Sequence, residues 1–209
     1  MKLLTIITLC SIALIAKAEH AINELPMYGG QQEPQVDRNE ESSRGAAKLG
    51  WKYFYKGDLA TAMKRFNQAW MFDRENPEAY WGFGLIMGRR SESEDPEVCL
   101  RESIKFLEIA HDKSPKNARI TSDLAFSYTL LGHIFQNSKR DASSDFSKAE
   151  LLFKEARDLE PEYPVTLSNW SVLKFYSRDI LAARKLLSEA KSKGFTPNPE
   201  YEKKLKAQK

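Results

Sequence analysis

The 209-residue sequence predicts an all-α fold, a solenoid of about four helix-turn-helix units followed by a C-terminal capping helix. Two observations carry this prediction. Small residues and one large one, Gly50, Ala62, Phe66 and Ala69, recur in a spacing that returns three more times along the chain. Turn and closing residues stand between or after these stretches, with Gly57-Asp58 inside the first unit and Pro115 and Pro161 closing the second and third. Two helices can cross at short distance only where their side chains are small, and the gaps beside the crossing must then be filled by large ones.

The chain opens with "MKLLTIITLCSIALIAKA", a basic Lys2, an apolar run over residues 3–16 and small residues flanking Lys17, the pattern of a cleaved export signal over residues 1–18. An apolar run of 14 residues falls short of the ~20 that cross a bilayer as a helix, so no stable membrane insertion is expected after cleavage. Loss of Lys2 and Lys17 takes the formal net charge from +3 to +1, which leaves no electrostatic case for binding nucleic acid. The remaining 191 residues suffice for one sizeable core. Cys10 leaves with the signal, Cys99 stands alone, and stability must come from packing rather than from an internal disulfide. Residues 19–42 are rich in Gln, Glu, Asn, Gly and Pro without apolar periodicity and read as a flexible leader, interrupted by the small apolar island "LPMYGG".

From Ser43 the units follow one another. In the first, over 43–76, Leu49, Gly50 and Tyr53 lie on one helix and Ala62, Phe66 and Ala69 on the next. The second, over 77–117, has Phe83, Gly84 and Met87, then Ser103, Leu107 and Ala110. The third, over 118–163, has Leu124, Ala125 and Tyr128, then Ala149, Phe153 and Ala156, and the fourth, over 164–196, has Trp170, Ser171 and Lys174, then Ala183, Leu187 and Ala190. Gly50 to Gly84 is 34 residues, whereas Gly50 to Ala62 is 12, Gly84 to Ser103 is 19 and Ala125 to Ala149 is 24. Seven residues are therefore added in the second unit and twelve in the third, and the polar stretches "RRSESEDPEV" and "FQNSKRDASSDF" point to enlarged turns. Residues 197–209, "PNPEYEKKLKAQK", fit a polar helix that caps the open end of an array.

These residues and spacings resemble the tetratricopeptide repeat family, whose unit of about 34 residues is a pair of antiparallel helices. The resemblance covers residues 43–196 and departs from the family at the two longer units and at Arg74, where closure usually has proline. It implies that the first helices line a concave face. The residues it turns inward include Arg44, Trp51, Phe54 and Tyr55, then Trp81 and Arg89, Arg119 and Phe126, and finally Phe175 and Tyr176. Trp, Tyr and Arg carry much of the energy at interfaces, so this face is the candidate partner-binding surface, with Leu85, Phe126 and Val172 equally suited to the core. The family's carboxylate clamp is not matched, since Ala47, Trp51, Gly82 and Asp123 hold its positions and only Arg119 would fit. The resemblance implies a non-catalytic scaffold or adaptor of the cell envelope, periplasmic in a Gram-negative bacterium, that captures an apolar or amphipathic polypeptide while its arginines select acidic neighbours.

No cofactor and no metal site is expected. His20, His111 and His133 are scattered, without the paired spacing that ligand sets need, and Glu92, Glu94, Asp95 and Glu97 lack a calcium-loop glycine pattern. An accessory or catalytic subunit using Cys99 is the alternative from another class, although no histidine neighbours that cysteine in sequence. A third reading is self-assembly of copies into a homo-oligomer through the same aromatic face.

Overall fold

The computed structural model describes residues 20–30 and 36–208. The expected signal segment, residues 1–18, lies outside the described residues. Among those described, nine α-helices form four antiparallel pairs and a closing helix. The first pair is α1 (Glu40–Phe54) with α2 (Leu59–Phe72), and the second is α3 (Pro77–Arg90) with α4 (Pro96–Lys113). Next come α5 (Ala118–Asn137) with α6 (Ser143–Leu159) and α7 (Pro164–Tyr176) with α8 (Ile180–Ser192), and α9 (Pro199–Ala207) packs on α8. The architecture is all-α and tetratricopeptide-like, with α1, α3, α5 and α7 touching in succession as one inner row.

Local chemistry sets the helix starts. Asn39, Asp58, Asn76, Asp95, Asn117, Asp179 and Asn198 each accept a backbone N–H of the first turn, and proline opens α3, α4, α7 and α9. Gly57 turns the chain between α1 and α2 at φ 79°, in the left-handed region that glycine enters without steric cost.

The repeated small positions are the seams of the stack. Ala62, Ser103, Ala149 and Ala183 on the second helices are completely buried, as are Ala69, Ala110, Ala156 and Ala190 two turns further on. The Phe66 ring fills the space between α1 and α3, where a Cβ placed on Gly50 would meet it at 2.7 Å and one on Gly82 at 2.4 Å. Phe66 thus fixes two helix approaches at once, and Gly82, which the repeat pattern did not single out, is as tightly constrained as Gly50.

Only one of the added residues in each of units two and three lies in the turn. The α3–α4 and α5–α6 connections have five residues each against four in the first unit, 55–58. In unit two the remainder extends the end of α3 and the start of α4, and in unit three it mostly extends the end of α5. Of the polar stretches that suggested enlarged loops, only residues 91–95 and 138–142 are connections, and the rest belong to the ends of longer helices.

The described part of the leader differs from its expected form, while residues 19 and 31–35 lie outside the described residues. Residues 20–30 make two short 3₁₀ turns, Ile22–Glu24 and Pro26–Gly30, laid along α2. The completely buried Asn67 donates through Nδ2 to the carbonyls of Asn23 (3.0 Å) and Leu25 (2.9 Å), and the buried Arg90 donates through Nη2 to that of Glu24 at 2.8 Å. Lys64 pairs with the Glu24 carboxylate at 2.9 Å, while Met27 and Tyr28 pack on the first core cluster. Met27 and Tyr28 both have left-handed backbone (φ 52° and 54°), which costs about 1–2 kcal/mol per residue and is held by this docking. α1 begins at Glu40, inside the stretch read as leader.

Candidate functional site

The inner row brings together four of the ten candidate residues in one aromatic cluster. Trp51 of α1 meets Trp81 of α3 edge to face at 4.7 Å between ring centroids, Phe54 at 5.9 Å and Tyr55 in a stacked arrangement at 6.1 Å. Beneath them the buried Phe66 ring lies 4.9 Å from Trp51. Trp51, Phe54 and Trp81 are half-buried, and Tyr55 is 79% exposed, so the cluster is rooted in the core but open on its inner side.

Both indoles are oriented by carboxylates. Trp51 Nε1 donates to Glu78 Oε2 at 3.3 Å across the α1–α3 seam. Trp81 Nε1 donates to Asp123 Oδ2 at 2.8 Å across the α3–α5 seam. Asp123 keeps a small surface to solvent, yet the side chains around it strip most of its hydration and push its carboxyl up to about 7, against which the Trp81 hydrogen bond works only in part. Tyr163, at the start of α7, is likewise raised, first by desolvation and then by the nearby Asp123 carboxylate. Neither Glu78 nor Asp123 has a cationic partner within ion-pair distance among the described residues.

The three arginines are already engaged within the chain. Arg119 makes a two-pronged hydrogen bond to Glu160 (3.0 and 3.3 Å) with its guanidinium 4.6 Å from the centre of the Tyr163 ring. Arg44 lies near Glu40 on its own helix at 3.6 Å and Arg89 near Glu92 at 3.5 Å, and both are exposed.

The other candidates lie elsewhere. Phe126 is half-buried against the second core cluster, which also touches Trp81. Phe175 meets Tyr201 of α9 edge to face at 5.7 Å, and Tyr176 is stacked on His133 with ring centres 3.7 Å apart and planes within 6°. Ser171 Oγ and Tyr201 Oη lie 2.6 Å apart, which pins α9 over this end of the row.

Glu78 stands at an inward position of its unit and Asp123 at a clamp position, but neither was among the ten candidate partner-binding residues. The available signal was register, since each carboxylate sits on the inner helix following that of the tryptophan it receives. Among the described residues no group of three or more His, Cys, Asp or Glu side chains is arranged to hold a metal ion, and no helix is long and apolar enough to cross a membrane.

Cys99 does not suit the alternative in which it serves as a nucleophile. It is 3% exposed, and burial together with the Glu94 carboxylate raises its thiol to about 11, the opposite of the shift that makes a reactive thiolate.

No protein-family model matches the chain, and no curated protein matches it. Among solved structures it is similar to one described as "Functional Characterization of Pseudomonas Aeruginosa pilF", with 14% sequence identity and a TM-score of 0.36, the match covering 76% of this chain and 78% of that one. The tetratricopeptide-like fold described above stands on the paired helices and buried seams of this chain itself.

Proposed function

We propose that the protein is a non-catalytic protein-binding module of the cell envelope that seats an apolar or amphipathic polypeptide segment on its inner aromatic face. The observation that carries this reading is the cluster of Trp51, Trp81 and Tyr55, whose rings stay partly open on the inner row while the seams around them are sealed. Aromatic surface of this kind gains more from a packed partner than from water, and rings held by neighbouring rings and hydrogen bonds lose little entropy on binding. The envelope part of the reading rests on the export pattern of residues 1–18.

A photo-crosslinking residue at the exposed Tyr55 position, in the full chain expressed in its own host, tests the proposal. A discrete polypeptide adduct is expected, weakened by Trp51→Ala and Trp81→Ala with helicity retained by circular dichroism. Adduct formation undiminished by both substitutions overturns the assignment of this face, and recovery of the chain only from the cytosolic fraction overturns the envelope location.

A further inference from the structure

The electrostatics of the aromatic face point to the partner's chemistry, an inference that rests on the reading just given. Arginines on an inner face suggest acidic partners, but here Arg119 is committed to Glu160, and Arg44 and Arg89 lie against Glu40 and Glu92. Among the described residues, the acidic groups of this face without a cation at ion-pair distance are Glu78 and Asp123, the latter ionising only toward pH 7, each at the edge of an indole whose N–H it accepts. An aromatic surface with unpaired carboxylates at its border attracts a cation twice, through the ring quadrupoles and through charge-assisted hydrogen bonds.

We propose that the inner face takes a basic amphipathic segment of another protein, with one lysine or arginine laying its stem along Trp51 and Trp81 and its charged end between Glu78 and Asp123. Long cationic side chains suit such a site, because the methylenes cover apolar surface while the head stays polar. The arrangement also discriminates, since an acidic segment would bring like charge against Glu78 and would keep Asp123 protonated rather than drawing out its charge.

Isothermal titration calorimetry of the purified chain tests this with three synthetic amphipathic peptides. They share one apolar pattern and carry Lys, Gln or Glu at a single central polar position. The Lys peptide is expected to bind about tenfold more tightly than the Gln peptide, which corresponds to one desolvated cation contact, with the Glu peptide weakest. Asp123→Asn, which keeps an acceptor for the Trp81 N–H, and Glu78→Gln, on an exposed side chain, are expected to shrink the Lys–Gln gap measured within each variant.

Equal binding of all three peptides overturns the cation preference and leaves the apolar face standing. Tightest binding of the Glu peptide overturns it by reversing its sign. An undiminished Lys–Gln gap in both variants overturns the assignment of these carboxylates. Binding of none of the three removes the aromatic-face reading together with this one.

Discussion

The two ends of the inner row hold aromatic residues at equivalent repeat positions and use them differently. At the N-terminal end Trp51 and Trp81 are half-buried against one another and, for Trp51, against Phe66, with the Glu78 and Asp123 carboxylates at their N–H edges, and Tyr55 stays exposed. At the C-terminal end Phe175 and Tyr176 are half-buried, one against Tyr201 of α9 and the other stacked on His133 from the lengthened end of α5. The same repeat position therefore leaves Tyr55 79% exposed at one end and Tyr176 half-buried at the other. What decides is whether a neighbouring element reaches over the ring.

The severest disturbance of the open end removes the ring beneath it. Phe66→Ala is expected to cost about 3–5 kcal/mol, since the ring fills both the Gly50 and Gly82 approaches and no nearby side chain can refill the gap. Urea denaturation measures the loss, and a cost no greater than that of a surface substitution would show that the two approaches do not depend on Phe66. Overpacking the same spot by Gly82→Ala is expected to cost about 1–3 kcal/mol, because the new Cβ would sit 2.4 Å from that ring.

Asn67→Ala is expected to cost about 1–3 kcal/mol by leaving two leader carbonyls without their donor, and limited proteolysis within residues 20–30 should accelerate. At the closed end Tyr201→Phe keeps the ring contact with Phe175 and loses only the hydroxyl bond to Ser171, an expected loss of about 0.5–1.5 kcal/mol.

The finest contrast is in pH. Unfolded Asp123 ionises near the ordinary carboxylate value of 3.8, whereas in the fold it holds its proton to about 7. Between those values the folded state binds more protons, so this residue's contribution to stability is full below about pH 4 and is lost as pH rises toward 7. Asp123→Asn should flatten that slope in thermal melts taken across the interval, with the Trp81 N–H still satisfied. An unchanged slope would mean that the carboxyl ionises near its ordinary value. Tyr163 remains neutral throughout, and Arg119, held by Glu160, stays charged.

The pairing of helices was legible in the sequence because close crossings tolerate few residue types, and Ala62, Ser103, Ala149 and Ala183 are all completely buried where the spacing put them. The placement of the added residues was not. A polar stretch has the same composition at the end of a helix as in a loop, and only the cap at Asp95 and the hydrogen bond from Ser143 N–H to Asp141 mark where the helices begin. Composition also misled for the leader, where a few docking side chains and backbone carbonyls offset an otherwise polar segment. The clue lay at a distance, in Asn67 and Arg90, polar residues on faces that bury their neighbours. Which aromatic residues stay open depends on contacts between units, such as His133 with Tyr176, which no single repeat encodes.

The extra helical length in the middle of the stack has a consequence for how the chain can be taken apart. Glu97 in the added first turn of α4 receives Arg140 from the α5–α6 connection at 2.6 Å and Arg101 at 2.9 Å, which holds its carboxyl below the usual range. The Arg140 guanidinium in turn rests 3.9 Å from the centre of Phe135, on the added end of α5. The surplus of one unit is bolted to the surplus of the next, so trimming either back to standard length strands half a joint. For grafting or shuffling, residues 77–163 are a single cassette rather than two interchangeable parts.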